Sequence, residues 1–356
     1  MAKKTKVSVA MVTYNGVDFI EEQLTSILNQ TEKPDEVIIS DDGSTDGSLE
    51  LIQKIINEYS NSGISILLLT DNPIHGVGTN YEWAYRHTTG DIIFSSGQDD
   101  VWAQDKIEKV LNVYINHPDA QVVITDAYLI DGQGNRLPGK LCPLFIEELN
   151  IQQGESIRLE RSKYIEYAES TNIIQGPVIS FRSTIKEKVI PIPRKCYEDH
   201  WIEAIGVAEN SLYFLMEKIT YYRIHNSVTQ TQGSSFIKKA RKNMQRAKKS
   251  YSIALSSYNF GKSLLNYYNT NNEDFEGRDV ALDTVNHIIK IGETELKCMR
   301  MGRIKGAVNL RRFYRSDIRY KKSGFEQFFI SLLYITMYSK KRRNKDIDDE
   351  IEKSCC

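Results

Sequence analysis

The chain has 356 residues, 40% of them hydrophobic, and a formal net charge of −1, which is more length than one average domain needs and enough apolar content for a sizeable core. No apolar run reaches the roughly 18 residues needed to span a bilayer, and Met1-Ala2-Lys3-Lys4 leads straight into a strand pattern rather than a signal sequence, so a cytoplasmic protein is expected. Cys142, Cys196, Cys298, Cys355 and Cys356 show no Cys-x-x-Cys spacing, which argues against a disulfide framework or a zinc site and predicts reduced thiols.

From the amino end, residues 7–12 read as a strand, 19–28 as a helix, 36–39 as a strand, 49–59 as a helix and 64–69 as a strand. Residues 80–87 then read as a helix, 92–94 as a strand, 106–115 as a helix and 122–125 as a strand. This alternation predicts parallel βαβ units, and so an α/β domain with a mostly parallel sheet flanked by helices. The first strand-to-helix turn, Thr13-Tyr14-Asn15-Gly16, lacks the Gly-x-Gly-x-x-Gly fingerprint, and no Gly-x-x-x-x-Gly-Lys-Ser/Thr occurs. A dinucleotide fold and a P-loop enzyme are therefore disfavoured.

Two acidic stretches, Ser40-Asp41-Asp42-Gly43-Ser44-Thr45-Asp46 and Gln98-Asp99-Asp100, each follow a β-branched apolar run. Taken singly, either is ordinary turn chemistry, with Gly43 and Ser44 supplying a tight turn and a helix cap. Two at similar strand ends are harder to dismiss. They place carboxylates at the carboxyl edge of a sheet, where open α/β proteins bind ligands, and their hard oxygens suit Mg²⁺ or Mn²⁺. The pattern points to a metal-assisted nucleotide site.

Between residues 128 and 170 the chain turns polar and Gly-rich, with a hairpin signal at Asp131-Gly132-Gln133-Gly134-Asn135, an excursion placed to select an acceptor. From residue 236 the pattern is helical and basic: residues 236–345 hold 25 Lys and Arg against 9 Asp and Glu. Lys238, Lys239, Arg241, Lys242, Arg246, Lys248 and Lys249 crowd one helix; Arg311, Arg312, Arg315, Arg319, Lys321 and Lys322 crowd another. An aromatic-rich apolar segment, 325–338, follows and is closed by Lys340-Lys341-Arg342-Arg343. Such a segment suits a helix lying in an anionic membrane interface, or one packed on the catalytic domain or on a second copy in a homo-oligomer. No nucleic-acid motif accompanies the charge, so no nucleic-acid partner is expected. The organisation read from the sequence is a domain over 1–232 and a basic helical region over 233–356.

Four ordered segments, residues 7–15, 26–31, 41–46 and 98–102, resemble the family 2 inverting glycosyltransferases of glycosyltransferase A fold. The resemblance runs on through Glu198-Asp199-His200-Trp201-Ile202 and Tyr222-Arg223-Ile224-His225, and is nearest to bacterial transferases that assemble surface polysaccharides, rhamnosyltransferases among them. It implies a UDP- or dTDP-sugar donor and a glycan or lipid-linked acceptor. By the same resemblance Thr13, Tyr14 and Asn15 line the base pocket and Asp41 and Asp42 bind base and ribose. Asp99, Asp100 and His225 hold Mg²⁺ or Mn²⁺, and Asp199 is the catalytic base, with Glu198 the substitute candidate. Trp201 is expected in the core. Gly97 stands where near relatives often carry an Asp, and residues 174–178 depart from the family pattern. A non-catalytic nucleotide-sugar-binding or assembly subunit is the alternative that Gly97 supports.

Overall fold

The computed structural model describes residues 4–139, 141, 151–160, 178–193, 196–224, 250–271, 278–301 and 303–316. The apolar runs become strands: β1 (Val7–Thr13), β2 (Glu36–Asp41), β3 (Ser65–Leu69), β4 (Ile92–Ser96), β5 (Val101–Trp102), β6 (Val122–Ile130), β7 (Arg136–Leu137), β8 (Ser156–Arg158), β9 (Ile179–Arg182) and β10 (Leu212–Arg223). Helices α1 (Ile20–Leu28), α2 (Ser48–Glu58), α3 (Val77–His87), α4 (Lys106–Asn116), α5 (Lys186–Val189) and α6 (Glu198–Ala208) alternate with them. In α1, Ile20, Leu24, Ile27 and Leu28 recur at helical spacing and are wholly buried, the stripe that makes this segment a helix packed on a sheet.

The sheet runs β3-β2-β1-β4-β9-β6-β10-β5, with β7 on β6 and β8 on β10. The parallel units read from the sequence are β3-β2-β1-β4, with Val9 opposite both Val37 and Phe94. Beyond β4 the sheet is mixed: β9 lies antiparallel to β4 and to β6, and β10 is parallel to β6. Because β9 reverses direction on each side, the carboxyl ends of β1, β2, β4, β6 and β10 share one edge. β6 reaches Ile130, past the expected 125, because β10 and β7 pair along it, and the expected hairpin follows, closed by Asp131 N donating to Asn135 O at 2.9 Å.

Helices cover both faces. Ile20, Leu24 and Ile27 of α1, Ile52 and Ile55 of α2, and Ile107, Val110 and Val113 of α4 join Val7, Val9, Met11, Val37 and Ile39 in one apolar cluster. On the other face lie Tyr81, Ala84 and Tyr85 of α3, and Tyr85 donates or accepts at Ser95 Oγ, 2.7 Å away. Trp201 is buried, with its indole N–H on Val189 O at 3.0 Å.

The chain divides into two compact units: Met1–Glu160, Asn172–Ile192 and Tyr197–Thr229; and Arg161–Thr171, Pro193–Cys196 and Gln230–Cys356. In the second, α7 (Ser250–Thr270), α8 (Arg278–Arg300) and α9 (Arg303–Ser316) bury Leu264, Tyr267, Ala281, Val285, Ile289 and Leu310. Among the described residues no helix is long and apolar enough to cross a membrane. Several sequence expectations lie outside the described residues: residues 174–177, His225, the basic run 238–249, Arg319, Lys321, Lys322, the apolar segment 325–338 with its closing cations, and Cys142, Cys355 and Cys356.

Candidate active site

Thr13 ends β1 and Asp41 ends β2, paired in register, so the two loops that follow leave the sheet side by side. Tyr14 is 56% exposed, and Asn15 has a left-handed backbone (φ +48°), a conformation Asn tolerates better than most residues. Asn15 stitches the loops together: its N–H donates to Ser44 Oγ and its Oδ1 accepts from Thr45 N, both at 2.8 Å. Asp41 is buried and turned into its own loop, where its carboxylate accepts from Gly43 N, Ser44 N and Ser44 Oγ. Ser44 is thus not the helix cap expected of it. The N-cap of α2 is Gly47, and Asp46 just before it accepts from Ser48 N at 3.1 Å, while Ser44 is committed to Asp41 and Asn15.

Asp42 points elsewhere. Its two oxygens meet His75 Nδ1 at 2.9 Å and Gly76 N at 3.0 Å, at the start of α3. His75, Ile74 and Val77 stand exposed there. Beside Asp42 they form an exposed edge with apolar and polar parts.

The second acidic stretch lies where β4 emerges. Gln98 accepts at Oε1 from Thr13 Oγ1 (2.8 Å) and Tyr14 N (2.7 Å), and donates from Nε2 to Tyr14 O (3.1 Å). Asp100 is buried and accepts from Arg223 N at 3.0 Å; the Arg223 guanidinium donates through Nε to Asp99 O at 2.7 Å and through Nη2 to Glu22. Burial, with Asp99 alongside, pushes the Asp100 carboxyl well above the usual carboxylate range, against the pull of Arg223 and Lys106. Lys106 is itself buried, its Nζ on Thr220 Oγ1 (2.8 Å) and 4.0 Å from the centre of the Trp102 ring. Burial lowers its ammonium to about 7, against the raising effect of Asp100.

A buried Asp100 carboxyl that burial and the neighbouring Asp99 hold back from ionising fits a divalent cation, which would relieve both penalties. Among the described residues no cluster of three or more His, Cys, Asp or Glu completes such a shell.

Asp199 sits in the first turn of α6, buried, with Oδ1 accepting from His200 N at 2.8 Å. It and the Asp99–Asp100 pair bear on one phenol. The Tyr222 phenol is raised by burial and then by the charges of Asp100, Asp99 and Asp199. Tyr81 is likewise raised by burial, with Glu198, Asp199 and Asp100 among the charges acting on it. One sheet edge therefore gathers Thr13, Tyr14, Asn15, Asp41, Asp42, Asp99 and Asp100, and Asp199 shares the Tyr222 and Tyr81 phenols with Asp100. Sequence reasoning did not single out His75, Gln98 or Glu22, whose partners lie 33, 84 and 201 residues away along the chain.

The glycosyl transferase family 2 profile matches residues 8–179. An uncharacterised glycosyltransferase of Nostoc sp. is 24% identical over 233 residues, covering 65% of this chain and 68% of that protein. The dTDP-rhamnosyl transferase RfbG of Shigella flexneri is 33% identical over 129 residues, covering 35% of this chain and 44% of its own length. The mannosyltransferase PcManGT from Pyrobaculum calidifontis, solved in complex with GDP-Man and Mn²⁺, superposes with a TM-score of 0.51 at 15% identity, over 95% of this chain and 88% of that one.

Proposed function

We propose that this chain, whose residues 8–179 match the glycosyl transferase family 2 profile and whose sheet has a glycosyltransferase A fold, moves a sugar from a nucleoside diphosphate donor to a glycan or lipid-linked glycan with inversion at the anomeric carbon. The observation that supports this reading is that the matched span holds both acidic loops, residues 41–46 and 98–100, which leave β2 and β4 on either side of β1 at one edge of the sheet. The donor is a UDP- or dTDP-sugar, with rhamnose the first choice because the Shigella relative is a dTDP-rhamnosyl transferase.

In this reading Tyr14 and Asp42 hold the base and ribose, while Asp41 shapes the loop that presents Asp42. Asp99 and Asp100 would hold Mg²⁺ or Mn²⁺, with His225 as a third ligand, and the cation would supply charge neutralisation for the leaving diphosphate. Transfer is a single displacement. The acceptor oxygen bonds to the anomeric carbon, its proton passes to Asp199, and the bond to the diphosphate breaks with its electron pair going to phosphate. The cations of residues 236–345 bring the enzyme to the anionic inner face of a membrane, where a lipid-linked acceptor resides.

Calorimetry with a panel of nucleoside diphosphates and nucleotide sugars, with Mn²⁺ and with chelator, tests the donor site. Metal-dependent binding of a uridine or thymidine diphosphate sugar supports it and selects the substrate for a transfer assay. Folded protein that binds none of them points instead to a non-catalytic subunit.

A further inference from the structure

We propose that Gln98 is a positioning residue that locks the base-binding turn to the metal-binding loop, so that a nucleoside diphosphate is held as one unit. This rests on the donor reading above and goes beyond it, because Gln98 need touch neither base nor metal.

The geometry is specific. The carboxamide makes three bonds to the turn after β1: Oε1 accepts from Thr13 Oγ1 and Tyr14 N, and Nε2 donates to Tyr14 O. The peptide edge of Tyr14 is thus read as a paired donor and acceptor. The next two residues in the chain are Asp99 and Asp100, and these are clamped from the other side by Arg223. The turn is in turn tied through Asn15 to the Asp41–Thr45 loop. The Tyr14–Gly16 turn is therefore the hub of three loops, and Gln98 is its side-chain tie to the loop that carries the carboxylate pair.

Gly16 makes room for this tie. A Cβ at residue 16 would overlap Oε1 and Cδ of Gln98 and stand 3.0 Å from Nε2, so its three nearest neighbours all belong to that carboxamide. The backbone there is not left-handed, so an alanine would be opposed by Gln98 rather than by its own conformation. Holding two subsites at a fixed spacing makes the second contact of a two-part ligand effectively intramolecular and avoids ordering the loops on binding.

The test compares three probes on the full chain: UDP or dTDP with Mn²⁺, which spans both loops; UMP or dTMP without metal, which occupies the base side; and Mn²⁺ alone, followed by paramagnetic resonance. Gln98→Ala is expected to raise the diphosphate Kd about tenfold, while monophosphate and Mn²⁺ affinities change by less than about threefold. Gly16→Ala is expected to give the same loss in the wild-type background and none in the Gln98→Ala background, where the collision is gone. Unchanged diphosphate affinity in Gln98→Ala, equal weakening of all three probes, or additive losses in the double variant would each overturn the proposal. If the wild-type protein binds no nucleoside diphosphate, the donor reading itself fails and the coupling with it.

Discussion

Asp199 and Glu198 are chain neighbours, both buried in the first turn of α6, and their charges differ in one partner. Both bear on Tyr81 and Tyr85, whereas Asp199 also bears on Tyr222, where Asp99 and Asp100 act. Asp199→Asn should leave donor binding nearly intact and lower transfer by about 100- to 10 000-fold, the range a general base supplies; equal loss of donor affinity would break the assignment. Burial, with Asp199 beside it, raises the Glu198 carboxyl well above its ordinary value. Its stabilising contribution is complete below the unfolded pKa and is lost as pH rises toward the folded one. Glu198→Gln should therefore be more stable than wild type in urea at pH 8 and indistinguishable at pH 4. Gly97 offers a second residue-scale test. A Cβ there would stand 3.3 Å from Asp99 Oδ1 and 4.0 Å from Asp100 Oδ2, so Gly97→Asp crowds a third carboxylate onto the pair. Its melting temperature should fall in chelator and recover with Mn²⁺, giving a larger metal-induced shift than wild type; an equal shift would show that the new carboxylate does not reach the site.

At the scale of elements, the end of the sheet opposite the site depends on Glu36, which opens β2. Its carboxylate takes hydrogen bonds from Ser8 Oγ on β1, from Thr89 N and Oγ1 before β4, and from Lys6 Nζ. Burial raises this carboxyl, but those bonds outweigh it and hold the group below its ordinary value. The stabilisation is present above the unfolded pKa and fades as pH falls through the folded one. Glu36→Gln should be less stable than wild type at pH 7, with the gap closing below about pH 4; a gap that stays constant with pH would mean that packing, not charge, is what Glu36 supplies. Most elements were legible in the sequence because one buried stripe or one short apolar run dictates each. The start of α3 was not: it begins at Val77, after Gly76 has engaged Asp42, a contact across the sheet edge that local pattern does not carry.

For the whole molecule the uneven charge is the governing feature, with 25 cations against 9 anions in residues 236–345 and the excess of acid elsewhere. The full chain should sediment with vesicles containing anionic lipid at low salt and come off as ionic strength rises to about 0.5 M, where the screening length shrinks to a few ångströms. Binding that ignores salt or lipid charge would remove the membrane reading and leave subunit contact as the use of that surface.

The α/β class, the two acidic strand ends and the resemblance to glycosyl transferase family 2 were legible in the sequence, because each is written in contiguous residues whose period or order is local. Three things were decided only by the tertiary structure. Insertion of β9 between β4 and β6 brings the end of β10, and with it Arg223, to the same edge as Thr13 and Asp41. Asp41 is spent on its own loop while Asp42 faces His75. Gln98, an unremarkable side chain in a polar loop, becomes the tie across the site only because β1 and β4 lie side by side and Gly16 leaves it space. Each depends on residues tens to hundreds of positions apart meeting across a sheet, and no local period encodes such a meeting.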